Sequence, residues 1–588
     1  MATAKRLYLY AVSGVSLGLL LYAAWILTGL LLDRLGSGSA PLSVVSTDGS
    51  NRESLALAIG FVVVGLPLWL FHWAVVERMV TGDGHAAPAE RQSIVRGVYF
   101  GVVLLGLSYL IATSGVDALR EAITRPLGAT DPYSITSVTG SLSWLIVGLA
   151  AFSYHGWIRA RDLRLGPAIE CAAAWVSRLF FYGVAWGAMT TTLIGVATMI
   201  TTVGEALSGY AVGPDSYSPY GYGFGYLVLA PTAAWWVRPF VGAAATALVF
   251  GGMWLAYWWY AGRLTARADR QGLAERLSRV RLTYFVVVVS VAVAYALTGF
   301  AESLGVALRS VVGSWHSTAG QSLWGEILVP SAATVPLIAG WWWHRRAAVH
   351  EWVAESGGAL PAVRPIDYMT ALVGLAVFGG ALVSFLALLL EKFTGSDLGI
   401  ATSVDDWRTS AAGAIGFLGV AVPFWLVAWF SGQGRLTADR LGEVRSTARR
   451  AYLYAVGGVT VVAGALSLAL IVYRATRIAV GLDPSTFGSD VRVPFCILVV
   501  TLPLAAYHAH SIRADQASQP AGEVGVAGAG AVEPEPASRA VSIPIPRPEL
   551  VIVGPTGADY EPLRASVAAM LPDGFSIAVR LGEGPTRT

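Results

Sequence analysis

Charge is scarce in this chain. Only 13% of its 588 residues are Asp, Glu, Lys or Arg, about half the 25% usual in soluble globular proteins. So few charges cannot keep an ordinary surface wet. That excludes a soluble enzyme, a disordered chain and a nucleic-acid binder. Cysteine is scarcer still, with Cys171 and Cys496 alone, which excludes a disulfide framework and a C-x-x-C metal site. H-E-x-x-H and Walker A patterns are missing from the sequence, and no catalytic, metal or cofactor-binding residue is nominated and no cofactor is expected. Lys+Arg (40) and Asp+Glu (37) nearly balance, so bulk charge gives no reason to expect an acidic partner.

Apolar residues fill the space that charge leaves. They make up 55% of the chain, and the mean hydropathy is +0.60. A membrane helix needs about 20 apolar residues. Twelve runs qualify, near 9–32, 54–76, 97–114, 138–158, 173–202, 239–261, 282–301, 327–343, 369–390, 410–430, 451–473 and 493–509. The first is too long for the apolar part of a secretory signal. The composition therefore predicts an all-α integral membrane bundle of about twelve transmembrane helices, with membrane lipids as its first partners.

The runs repeat internally. Residues 5–17, KRLYLYAVSGVSL, lie over 449–461, RRAYLYAVGGVTV. Residues 52–73, RESLALAIGFVVVGLPLWLFHW, lie over 408–429, RTSAAGAIGFLGVAVPFWLVAW, with more than half the positions identical. Arg52 falls on Arg408, Pro67 on Pro423 and Trp73 on Trp429. The first run thus matches the eleventh and the second matches the tenth. Odd resembles odd and even resembles even, which implies six parallel two-helix hairpins. The even runs share a proline, at Pro67, Pro336, Pro423 and Pro503. A mid-helix proline bends a helix, serving as a packing kink or as a hinge.

The [KR]-R-x-Y-L-Y opening, the R-E-S-L-A-L-A stretch and the closing L-P-L-W-L-x-H-W resemble the membrane family called domain of unknown function 5671. The likeness is clearest over 5–77 and 408–513 and more diverged over 88–162, 173–263 and 276–346. That family is prokaryotic, multipass and functionally uncharacterised, so the resemblance implies a fold type and no activity.

Charge placement sets an orientation. Connections after even runs, together with Lys5 and Arg6, carry roughly twice the basic residues of those after odd runs. The positive-inside rule then puts both termini in the cytoplasm and the protein in a bacterial inner membrane. No Asp, Glu, Lys or Arg falls in the middle of a run, although proton relays usually keep an ionisable group there.

Several residues invite closer reading. His72, His155, His344 and His508 lie near the ends of even runs, as interface anchors or as a metal or haem ring. Arg52 and Arg408 open matching runs, where they snorkel or pair with Glu53 or Asp406, or together bind an outer anion or lipid headgroup. Gly14/Gly18 and Gly183/Gly187 have the G-x-x-x-G spacing of tight helix crossings. The Tyr- and Gly-rich stretch 207–237 reads as an ordered interfacial loop or as a plug or partner surface.

The expected organisation is three four-helix membrane units (1–162, 166–346 and 363–513), a flexible linker (514–548) and a small βαβ-like soluble module (549–583). Within that module the turn Gly554–Gly557 has only a faint likeness to a phosphate loop. Without catalytic residues, the first expectation is a non-enzymatic scaffold, assembly or sensory protein whose cytoplasmic tail binds a protein partner. A facilitator or channel for a neutral or apolar small molecule is second, and a lipid-acting membrane enzyme third.

Overall fold

The computed structural model describes residues 2–36, 48–81, 86–128, 138–165, 172–209, 236–316, 322–356, 360–394, 404–481, 487–518, 549–554 and 576–581. Two compact units divide the chain, Met1–Pro520 and Ala521–Thr588.

The described residues of the first unit are helical, and the helices come in three similar runs of five. The first run is α1 (Ala2–Gly36), α2 (Asp48–Thr81), α3 (Ala86–Arg91), α4 (Ile94–Thr124) and α5 (Val138–Leu165). The second is α6 (Ala172–Leu207), α7 (Val237–Thr265), α8 (Arg270–Arg276), α9 (Arg279–Val311) and α10 (Leu323–Ser356). The third is α11 (Leu360–Thr394), α12 (Val404–Ala438), α13 (Arg440–Val444), α14 (Thr447–Ala479) and α15 (Phe487–Ala517). In each run the third helix is short and the other four are long.

Among the described residues, eleven helices are long and apolar enough to cross a membrane. The sequence reading counts twelve. The difference is α5, which at 28 residues is long enough but is diluted by Ser141, Ser143, His155 and a terminal cluster of Arg159, Arg161, Asp162 and Arg164. The long helices outrun their apolar stretches. The 31 residues of α4 rise about 46 Å at 1.5 Å each, against an apolar layer about 30 Å thick. Their ends can therefore carry charge at little cost.

Consecutive long helices pair as antiparallel hairpins: α1 with α2, α4 with α5, α6 with α7, α9 with α10, α11 with α12 and α14 with α15. Within each run the first helix also packs against the fourth and fifth. Between runs, α4 packs on α6 and α7, and α9 packs on α11 and α12. Apolar cores lie where these helices meet, around Tyr99 and Phe100, around Tyr284 and Phe285, and around Tyr452 and Leu453.

Two of the short helices are capped by aspartate. Asp269 Oδ1 accepts from the amides of Gln271 and Gly272 at 3.1 Å each, and Asp439 Oδ1 accepts from Gly442 at 2.9 Å. Each satisfies donors that a helix start leaves open. The Arg267 guanidinium, with the Gly272 amide behind it, holds the exposed Asp269 carboxyl below its ordinary value.

The nominated prolines sit inside continuous helices: Pro67 in α2, Pro336 in α10, Pro423 in α12 and Pro503 in α15. In the second unit, β1 (Glu549–Gly554) and β2 (Ser576–Leu581) pair in parallel, with Glu549 opposite Ser576 and Gly554 opposite Leu581. The expected helix at 559–570, the Gly554–Gly557 turn beyond its first residue, most of the 514–548 linker, the aromatic part of 207–237 and Cys171 lie outside the described residues.

Candidate functional site

The most elaborate chemistry occurs three times, once in each run, where the fourth long-or-short element begins. Arg96 is the third residue of α4, Arg281 the third of α9 and Arg449 the third of α14. All three are buried, at 0%, 1% and 1% exposure. A buried guanidinium must find acceptors for a planar fork of donors. Each of these arginines finds the same ones.

The first acceptor is a carboxylate near the end of the following long helix. Arg281 grips Glu351 through Nε at 2.7 Å and Nη2 at 2.5 Å. Arg449 grips Asp515 at 2.7 and 3.1 Å. Arg96 reaches Asp162 through Nε at 2.8 Å and Nη2 at 2.6 Å, and adds Glu77 at 3.1 Å. The second acceptor is a tyrosine hydroxyl on the first helix of the run. Arg96 Nη1 donates to Tyr10 at 3.0 Å, Arg281 to Tyr182 at 2.7 Å and Arg449 to Tyr368 at 3.2 Å.

The tyrosine passes the bond on. Tyr10 donates to Glu90 at 3.2 Å, Tyr182 to Glu275 at 2.5 Å and Tyr368 to Glu443 at 2.7 Å. Those glutamates lie on the short helices α3, α8 and α13. A second arginine, one turn before the tyrosine, completes each set: Arg6 to Glu90 at 2.5 Å, Arg178 to Glu275 at 2.8 Å and Arg364 to Glu443 at 2.7 Å. Two arginines face at least two carboxylates in every copy, so the charge is balanced locally. Aromatic rings close over the buried guanidinium: Phe100 over Arg96, Trp258 and Phe285 over Arg281, and Trp429 over Arg449.

A neutral relay sits one turn deeper. Nδ1 of His155, His344 and His508 lies 2.7–2.8 Å from the carbonyl four residues earlier. A carbonyl only accepts, so Nδ1 carries the proton, and the neutral ring leaves Nε2 as an acceptor. Tyr99, Tyr284 and Tyr452 supply the hydroxyl, at 3.3, 3.1 and 3.4 Å. Trp254 and Trp425 in turn donate to Tyr284 and Tyr452. His72 makes the same pair of bonds, to Leu68 and to Tyr8 at 3.2 Å. This corrects both expectations for the histidines. They are buried members of a hydrogen-bonded core, not interface anchors. They do not form a metal ring either, since no group of three or more potential ligands gathers among the described residues.

The other nominated residues separate. Trp73 and Trp429 are buried, and their indoles donate to Tyr154 at 2.7 Å and Tyr507 at 2.8 Å. Arg52 and Arg408 are exposed near the starts of α2 and α12, far in sequence from the buried networks. Asp406, proposed as one partner, has its side chain outside the described residues. The G-x-x-x-G pairs do not mark tight crossings. A Cβ at Gly18, Gly183 or Gly187 would meet nothing within 4 Å. A close backbone approach lies between α9 and α12 instead, where a Cβ on Gly416 would come 2.5 Å from the Ala301 carbonyl and 2.8 Å from the Gly305 amide.

Sequence reasoning missed the arginine networks because it counted Arg96, Arg281 and Arg449 as loop charges. The signal was present. Glu-x5-Arg-x2-Tyr occurs at Glu90/Arg96/Tyr99, Glu275/Arg281/Tyr284 and Glu443/Arg449/Tyr452. Arg-x3-Tyr occurs at Arg6/Tyr10, Arg178/Tyr182 and Arg364/Tyr368, and His-x6-acid at His155/Asp162, His344/Glu351 and His508/Asp515.

A cavity of about 550 Å³ lies among α11, α12 and α15. It is lined by small and apolar side chains such as Ala381, Ala387, Gly413 and Phe417, with Ser384 and Ser410 as its polar members.

No curated protein and no solved structure matches this chain. A family model does, in two separate stretches that include the first and third arginine networks up to their last acid. Over residues 6–135 and 364–502 the chain is similar to the family described as Domain of unknown function (DUF5671), as a repeated, multipass membrane protein.

Proposed function

We propose that this chain is a non-enzymatic scaffold or assembly protein of the membrane, built from three four-helix units and carrying a partner-binding tail. One observation carries the reading. The buried arginines, tyrosines and acids bond to one another within each network, so they brace helices and do not present a reactive group to a substrate. Affinity capture from membranes with the full chain and with a chain ending at Ser518 tests it. A partner recovered only by the full chain supports the reading. An identical set of captured proteins from both chains overturns the tail's role.

The finer topology belongs to the same proposal. α5 serves as a twelfth span, because its counterparts by network position, α10 and α15, are both spans. Both termini then lie on the arginine-rich side, the cytoplasm of a bacterial cell by the positive-inside rule. A reporter fused after Arg513 should behave as cytoplasmic. The parallel pairing of β1 and β2 supports a small α/β module at 549–583, since parallel strands need a crossover between them.

A second reading, a facilitator for a neutral or apolar molecule, is favoured by the cavity among α11, α12 and α15. Flux of neutral solutes into proteoliposomes tests it.

A further inference from the structure

The three networks put the helices in residue-by-residue correspondence. Arg96, Arg281 and Arg449 align α4, α9 and α14. Trp73, Trp258 and Trp429 align α2, α7 and α12. On this alignment the two inter-run contacts are the same contact used twice. Gly242 of α7 faces the Arg120 side chain, its Cβ position 3.5 Å from Cδ. Gly305 of α9 faces α12 at the matching place, its Cβ position 3.4 Å from the Gly413 Cα. Arg120 corresponds to Gly305 and Gly242 to Gly413, so the register is identical.

Among the described residues, the third copy of each surface is exposed. On α14 the stripe equivalent to buried Val293 and Ala301 is Val461 and Ala469, both exposed. Val461 is 61% exposed against 3% for Val293. Tyr473, the equivalent of Gly305, is 54% exposed. On α2 the counterpart of Gly416 is Gly60. A Cβ on Gly416 would strike the backbone of α9, whereas one on Gly60 would meet nothing within 4 Å. Leu57 and Val64, equivalent to Gly413 and Val420, are exposed too, while Val420 packs against the core cluster that contains α9. An exposed apolar face is ordinary in a membrane helix. A face whose two internal counterparts are both buried against the opposite, equally exposed face is not.

We infer that α14 of one copy docks on α2 of a second copy, repeating the internal contact, so that this protein associates head to tail. The contact is heterologous, using two different surfaces, and generates a closed ring or an open row according to the rotation it imposes. Its evidence is independent of what the tail binds. It deepens the assembly reading by naming one partner as the chain itself, and the test leaves the tail intact.

The experiment uses the full chain with Cys171 and Cys496 replaced by alanine. One tagged copy carries Ala469→Cys and a differently tagged copy carries Gly60→Cys. Oxidation in native membranes should give a species bearing both tags. Pairs carrying the same substitution on both copies should not cross-link, because the contact is not two-fold. A second pair, Tyr473→Cys with Leu57→Cys, should behave alike. Gly60→Leu in the unlabelled partner position should abolish the Tyr473–Leu57 cross-link while the purified chain keeps its melting midpoint. Overturning outcomes are no cross-link with either pair, which leaves lipid on both faces; equal cross-linking of matched substitutions, which makes the contact isologous; or a disulfide confined to one chain when both cysteines are placed in the same copy.

Discussion

Replacing Arg96 with methionine tests the claim that the buried networks hold the helices together. Methionine keeps the length and apolar stem but removes the bonds to Asp162, Tyr10 and Glu77. Among the described residues, the Asp162 carboxylate, 1% exposed as a side chain, then keeps its contact to Arg161 at 3.1 Å alone. Stranding one member of a buried ion pair costs about 3–5 kcal/mol. The Arg161 contact and the part-exposed Glu77 place Arg96→Met toward the lower part of that range. Replacing both members with apolar groups of similar size is often nearly neutral. Arg96→Met with Asp162→Leu should therefore be less destabilised than the two single variants summed, with a coupling of about 1–3 kcal/mol. The assay is reversible unfolding in mixed micelles, with four chains forming a double-mutant cycle. A double variant that equals the sum of the singles would refute the reasoning, because the pair would then contribute nothing as a pair.

Three further outcomes follow from other features. Gly416→Val puts side-chain atoms into the Ala301 and Gly305 backbone, so it should lower the melting midpoint sharply, whereas Gly60→Val should leave it unchanged in dilute detergent. Tyr284→Phe removes the hydroxyl that links Trp254 and His344. It leaves the buried His344 and the half-buried Trp254 indole without this partner and should cost about 1–3 kcal/mol for the buried group stranded, measurable in the same micelles. The carboxyl of Asp269 is held down by Arg267 and the Gly272 amide. Its capping of α8 should thus be fully present above the ordinary aspartate value and be lost only as pH falls through its lower folded value. An amide chemical-shift titration at Gly272 with its midpoint at or above the ordinary value would contradict this.

The spans were legible because burial in lipid demands long apolar runs, and α1, α12 and α14 carry them without interruption. The run within α5 was also read as apolar, but its buried His155 and terminal charges lower the hydropathy of the helix, and its packing against α4 supplies what lipid would not. The repeat was legible from two dense matches, yet its chemistry was not. Arg96, Arg281 and Arg449 sit at the edge of apolar runs, where arginine normally marks a loop. Only the fold brings each one beside a tyrosine some eighty to a hundred positions earlier and an acid about seventy later. The histidines were misread for a related reason. Position near a helix end is shared by interface anchors and buried side chains, and the tyrosine that distinguishes them lies on another helix.

The networks also bear on how such a chain could have grown. Each draws its arginines, tyrosine, acids and covering aromatic rings from four consecutive long helices and the short helix among them. With α5 as the proposed twelfth span, a block of that size begins and ends on the same side of the membrane. Gene duplication or loss of one block would keep each buried arginine with its partners and would invert nothing downstream; among the described ion pairs, the contacts across a block boundary, Arg238 to Glu121 at 3.3 Å and Arg345 to Asp367 at 3.6 Å, would have to be rebuilt. Chains assembled from this block should therefore differ in length by whole blocks of four long helices, while a gain of two helices would separate each buried arginine from half of its partners.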